Sequence, residues 1–182
     1  HNKLIARSRH QIRAYILFIA NTGIRPGTES QNIRWRDVEF VDDQDHGKYL
    51  RVGISPSGKK RERREVIGRY TARRALERLR ESRADNLDDD DYVWCDVDGR
   101  KINSFREIFT TVIKEADVEY YHDGSKKIKH SPYCLRHTYA TFRLRYTDAP
   151  LLALARNMGT SIAMIDQYYA DVVPQHYVAK LL

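Results

Sequence analysis

The chain has 182 residues, 41% hydrophobic and 31% charged, a globular composition with room for one domain and a real core. A net charge of +7 and a pI near 9.4 point to a polyanionic partner, against the plainer alternative of a merely soluble basic protein. No apolar run approaches a membrane span, no signal-peptide pattern opens the chain, and Cys95 and Cys134 stand far apart without a C-x-x-C, which argues against a membrane protein, a disulfide framework and a cysteine zinc site, and for reduced thiols.

Ile12, Tyr15, Ile16 and Ile19 recur at helical spacing, predicting a helix over about 8–21. Gly23 then suits a helix stop and Pro26-Gly27 a turn, before a short helix over about 28–33. The segments WRDVEF, KYLRVGIS and RREVIG alternate polar and apolar residues. They read as three short strands of a small antiparallel sheet, with a basic hairpin, PSGKKRE, between the last two. Thr71 is the expected N-cap of a helix with Ala72, Ala75, Leu76 and Leu79 on one face. The run ADNLDDDD ends it and reads as a solvated acidic loop, because adjacent carboxylates point different ways and repel. DYVWCDVDGRKI suggests a short strand and turn. Asn103 or Ser104 caps the next helix, with Phe105, Ile108, Phe109, Val112 and Ile113 inward. EYYHDGSKKIKH reads as a basic loop. Ser131 and Pro132 suit N-cap and N1 of a helix whose expected buried stripe is Leu135, Tyr139, Phe142 and Tyr146. A further helix runs from Asp148 and Pro150 to Gly159, and a last short one carries Ile162, Ile165 and Tyr169. The expected class is mainly α with a small antiparallel β-sheet, α+β.

Three places stand out. Arg25 sits in a loop after a helix, Arg136 in the first turn of another, and Tyr168-Tyr169 near the C-terminus. Singly, each has a plain explanation: a loop charge, an ion-pair partner, a core aromatic. Together, ANTGIRPGTES, YCLRHTYAT and LARNMGTSIAMIDQYYADV resemble, in order, the two arginine boxes and the tyrosine segment of the tyrosine recombinases, the phage-integrase family. The resemblance runs from about residue 10 to 172, and counting nine from Thr160 reaches Tyr169. It implies the DNA breaking-rejoining fold of that family's catalytic domain, as one domain over residues 1–182. The family's separate N-terminal DNA-clamping domain has no counterpart here, which fits a piece of a longer protein.

The resemblance further implies a tyrosine hydroxyl attacking a DNA phosphodiester, giving a 3′-phosphotyrosine and a free 5′-hydroxyl, with no metal or other cofactor and no ATP. Negative charge grows on the non-bridging oxygens, and two guanidiniums can clamp them while staying charged. Arg25 and Arg136 carry that role over from the family, and Tyr169 that of nucleophile. Holding a phenol as phenolate at pH 7 costs roughly 4 kcal/mol, which the arginine field must offset. The chain departs from the family pattern in four places. Pro56 stands where a lysine usually precedes the hairpin turn, leaving Lys59 and Lys60 as candidate acids, with DNA-backbone contact as their competing role. Tyr133 replaces a histidine three before Arg136, and Thr160 replaces the next imidazole; both keep a hydroxyl donor and lose an acid or base. Thr28, with Glu29 one later, stands at the usual acidic position. His137 matches a frequent family histidine and is expected to brace the site, while His130 substitutes for the missing imidazole only if the helix starts late.

Lys59, Lys60, Arg61, Lys126, Lys127 and Lys129 are the expected DNA-backbone contacts. The implied partners are double-stranded DNA and, on it, a homotetramer, in the cytoplasm or nucleoid of a bacterium or its phage. A non-cleaving basic DNA-binding domain and a type IB topoisomerase are the rival readings. A purely structural domain leaves the ordered Arg–Arg–Tyr set unexplained.

Overall fold

The computed structural model describes residues 2–55, 63–83 and 87–169; for residues 2–7, Asp123 and Tyr169 it describes the backbone. The first helix, α1 (Asn2–Thr22), begins ahead of its predicted start and buries Ile12, Tyr15, Phe18 and Ile19. A short α2 (Thr28–Gln31) and a 3-10 turn (Trp35–Asp37) lead into β1 (Val38–Asp43), β2 (Gly47–Ile54) and β3 (Arg64–Gly68). These form one antiparallel sheet in the order β1-β2-β3, with Val38 opposite Val52 and Val52 opposite Val66. Period-two alternation puts Leu50, Val52, Ile54 and Val66 inward, where α3 (Tyr70–Glu81) covers them with Ala72, Ala75, Leu76 and Leu79. Helix α4 (Arg106–Glu115) adds Phe109 and Ile113. Tyr15 stacks on Phe105 at 4.1 Å between centroids and meets the edge of Trp94 at 5.2 Å.

A second, smaller core lies beyond α1. Helices α5 (Pro132–Tyr146), α6 (Leu151–Met158) and α7 (Ile162–Tyr169) meet through Tyr139, Ala140, Leu144, Leu154, Ala155, Met158 and Ile165. Asn157 joins this core to the rest. It accepts the Ile67 N–H at 2.7 Å, and its Nδ2 reaches the Thr22 carbonyl at 3.0 Å and the Tyr139 hydroxyl at 2.9 Å. Gly23 makes the junction sterically possible. Its φ is +70°, and a β-carbon there would lie 2.3 Å from Tyr139 Cδ1. Gly23→Ala therefore combines left-handed strain with overpacking, and is expected to cost roughly 2–5 kcal/mol. A urea titration measures this; an unchanged midpoint would mean that Tyr139 swings away freely.

Several expectations shift. In WRDVEF, Trp35–Asp37 is the 3-10 turn and the strand starts only at Val38, because Trp35 is buried and its N–H is taken by the Asp91 carbonyl. The α3 helix starts at Tyr70, ahead of Thr71, and α6 at Leu151, after Pro150. The predicted 119–130 loop is a hairpin of β4 (Tyr120–Asp123) and β5 (Lys126–Lys129), turning at Gly124 with φ +57°. The stripe predicted for α5 is rotated: Tyr139 is buried and Leu135 partly so, but Phe142 and Tyr146 are 48% and 66% exposed. The buried face runs instead through Arg136, Tyr139, Ala140 and Leu144. Ile162 is likewise exposed, and Ile165 anchors α7.

Ser104 Oγ accepts the Arg106 N–H at 3.1 Å at the start of α4. Asp88, Asp89 and Asp90 of the acidic run are exposed but not merely solvated: Arg34 and Arg36 bond Asp90, and Arg80 lies 3.6 Å from Asp89. Residues 92–102 form two isolated bridges, Arg34 with Tyr92 and Cys95 with Lys101. Cys95 and Cys134 are free thiols. Among the described residues, no helix is long and apolar enough to cross a membrane.

Candidate active site

The site grows out of the end of α6. Gly159 takes the left-handed conformation, φ 65°, its N–H bonding the Arg156 carbonyl at 3.0 Å, and the Thr160 N–H bonds the Ala155 carbonyl at 2.9 Å. This Schellman closure uses the carbonyls of the last turn and leaves those of Met158 and Gly159 for other partners. Three arginines take them. Arg136 Nη1 bonds both the Met158 carbonyl, at 2.7 Å, and the Gly23 carbonyl. Arg25 Nη2 bonds the Gly159 carbonyl at 2.5 Å, and Arg64 Nη2 the Met158 carbonyl at 3.3 Å. The negative end of the helix dipole favours this gathering of cations.

Arg136 is only 3% exposed, which explains the rotated face of α5. A guanidinium can be buried only where its donors are satisfied, and the Gly23 and Met158 carbonyls lie on that face. Tyr133, Arg136 and His137 stand at i, i+3 and i+4, on one side of α5. They line a pocket of about 160 Å³ together with Met158, Thr160, Met164, Ile165 and Tyr168. His137 is its aromatic centre, 5.2 Å between ring centroids from Tyr133 and 6.2 Å from Tyr168.

Of the residues expected from the sequence, the structure thus brings Tyr133, Arg136, His137 and Thr160 into one pocket, with Arg25 tethered one residue before Thr160. Lys59, Lys60 and Arg61 lie outside the described residues, as does the side chain of Tyr169. The strand that follows the lysines, β3, begins with Arg64, inside the cluster. Lys126, Lys127 and Lys129 are exposed on the β4–β5 ribbon, which ends just before α5. Lys127 sits over the Tyr120 ring at 4.2 Å, and Lys129 pairs with Glu119 at 2.7 Å. His130 does not enter the pocket: α5 starts at Pro132, and the His130 ring lies 4.8 Å from Tyr121 instead.

Sequence reasoning missed Arg64 and left Glu29 without a role. Glu29 Oε2 accepts the Arg25 N–H at 3.0 Å and Oε1 accepts from Arg64 Nη1 at 2.6 Å, whereas Thr28 is exposed. The acidic function is therefore met one residue later than the family spacing suggests. Strand parity was the available signal, since Arg64 shares its face of β3 with buried Val66 and Gly68.

Burial, and then the adjacent Arg136 charge, hold the His137 pKa below the ordinary histidine value. The imidazole is thus neutral at pH 7 and suited to bracing. The folded pKa lies beneath the unfolded value of about 6.5, so the unfolded chain takes up the proton first. This stability contribution is complete above about pH 6.5 and is lost as pH falls through the folded pKa. His137→Asn is expected to flatten that part of the stability–pH curve, as read by thermal melting in a buffer series.

Residues 2–176 match the family model described as the phage integrase family. Among solved structures, the XerA recombinase is 22% identical, with a TM-score of 0.69, over 98% of this chain and 62% of its own. The XerH site-specific recombinase in a post-cleavage complex with its difH substrate is 18% identical, with a TM-score of 0.70, over 96% and 46%. The Tn1549 transposon integrase bound to transposon right-end DNA is 17% identical, with a TM-score of 0.60, over 94% and 58%. This chain thus spans less than two thirds of each of those chains, and the likeness in fold is that of a tyrosine recombinase catalytic domain. No curated protein matches it.

Proposed function

This chain belongs to the phage integrase family, and from that premise we propose that it acts as the catalytic domain of a site-specific DNA recombinase. The observation that carries this reading is the shared pocket of Tyr133, Arg136, His137 and Thr160 above a cradle of arginines. The Tyr169 hydroxyl attacks the scissile phosphorus as its proton passes to water. The P–O5′ bond breaks, and the 5′-oxygen leaves with a proton from Lys59 or Lys60. The resulting 3′-phosphotyrosine is attacked by a second strand's 5′-hydroxyl, which reverses the step. Arg25 and Arg136 hold the non-bridging oxygens as charge develops. Tyr133 and Thr160 offer hydroxyl donors to the same phosphate, and neutral His137 braces them. Double-stranded DNA is the partner, with a homotetramer as the working assembly on it.

A suicide duplex, nicked so that religation fails, tests the reading. The expected result is a covalent protein–DNA adduct. Intact DNA binding without adduct would replace it by the non-cleaving binding domain. Relaxation of supercoiled DNA without site preference would favour the topoisomerase.

The β4–β5 ribbon supports the DNA grip. Tyr120, His122, Lys127 and Lys129 share one of its faces by register, directly ahead of the pocket helix. Lys127→Ala is expected to weaken DNA binding uniformly across sequences and to reduce the salt slope by about one, and Lys126→Ala, on the opposite face of the ribbon, to do less. Lys129→Ala is expected to do less, because Glu119 already neutralises it. Binding isotherms at a series of salt concentrations measure all three.

A further inference from the structure

We propose that the cavity at the seam of the two cores, walled by Tyr139 and Arg143, is a binding site for a small carboxylate with an apolar body. The cavity has a volume of about 570 Å³, within the range of about 300–1,000 Å³ usual for small-molecule sites. The β3–α3 junction supplies Ile67, Arg69 and Tyr70 to its wall, and α5 and α6 supply Tyr139, Arg143 and Leu154. No residue lines both this cavity and the pocket of Arg136 and His137. Its cations are uncompensated. Among the described residues, neither Arg69 nor Arg143 makes a side-chain hydrogen bond or an ion pair, and no carboxylate lines the cavity. The Nε of Arg143 is enclosed without a partner, against the general pairing of buried donors. Tyr139, 6% exposed, accepts from Asn157 Nδ2 at 2.9 Å, and its own O–H has no acceptor among the described residues.

An anion answers both deficits. Burial first, and then the like charge of Arg69, disfavour the Arg143 cation, and a bound negative charge relieves both. A carboxylate has two acceptor oxygens, enough for a guanidinium and a phenol together. The remaining wall selects the body of the ligand. Ile67 and Tyr70 are 46% and 50% exposed, and beside Leu154 the small side chains of Ala149 and Ala153 leave the space open. A hydrocarbon group covers that surface, which a hydrated inorganic anion leaves wet. Asn157 stands in the same wall and joins Ile67 to Tyr139. An occupant therefore braces the joint between the cores, and because it binds only the folded chain it raises the melting temperature.

Isothermal titration and thermal melting of this chain with three probes test the proposal: hexanoate, its neutral counterpart 1-hexanol, and inorganic phosphate. Hexanoate is expected to bind and to raise the melting temperature, and the other two to bind more weakly. Arg143→Met is expected to weaken hexanoate binding about 10- to 100-fold, the loss of a hydrogen bond to a charged group. Ala153→Phe keeps every cation and fills the cavity from an exposed position on α6. It is expected to abolish binding, and serves even if Arg143→Met does not fold. Hexanol bound as tightly as hexanoate would show that the cations take no part, and phosphate bound as tightly would show the same of the apolar wall. Either result overturns the proposal, as does wild-type affinity for hexanoate in Ala153→Phe. If wild type binds no hexanoate while Arg143→Met weakens binding to duplex DNA, these cations are phosphate contacts and the proposal is wrong.

Discussion

Arg136→Ala is expected to lower strand cleavage by at least about 10³-fold, the upper range for removing one fixed donor to a developing oxyanion. The guanidinium is the pocket's enclosed cation, 3% exposed and held by the Gly23 and Met158 carbonyls. Removing it takes a fixed charge from the proposed phosphate site and leaves the buried Gly23 carbonyl without this donor, while the Met158 carbonyl keeps Arg64. The second effect is structural, at about 1–3 kcal/mol for the Gly23 carbonyl, so a lower melting temperature should accompany the loss of rate. Arg136→Lys separates the two. An ammonium keeps the charge but lacks the planar fork that reaches carbonyls and phosphate together. It should regain part of the stability and little of the cleavage. Cleavage restored by lysine would show that charge alone suffices there.

Tyr169→Phe is expected to abolish the covalent adduct, while Tyr168→Phe retains it. The spacing from Thr160 selects Tyr169. The geometry adds that Tyr168 lines the pocket beside His137. Among the described residues of α7, Ile165 alone is buried. Adduct formed by Tyr169→Phe and lost in Tyr168→Phe would assign the nucleophile to Tyr168.

Much of this was legible in the chain. Helical spacing picked out Ile12, Tyr15 and Ile19, and alternation marked KYLRVGIS and RREVIG as strands, because burial on one face imposes those periods. The hairpin at 120–129 escaped because its alternation is among exposed tyrosines, histidine and lysines, so no core face marked it as strand. The α5 stripe was misjudged at Phe142 and Tyr146 because an apolar pattern cannot foresee a buried arginine. Apolar side chains were expected inward, and the carbonyls of Gly23 and Met158 drew Arg136 inward instead.

The sequence by itself determined the family, the order Arg25, Arg136, Tyr169, and the glycines at 23 and 159 that close their helices. Those features are local: a φ value, a spacing, a charge that does not titrate. Only the tertiary structure decided that Arg64 and Glu29 belong to the site, that Tyr168 lies in the pocket and that His130 does not. Each depends on which backbone carbonyls and ring faces arrive from distant segments. Chain spacing carries no record of that, because hydrogen-bond partners 94 or 113 residues apart meet only when two cores are packed against each other.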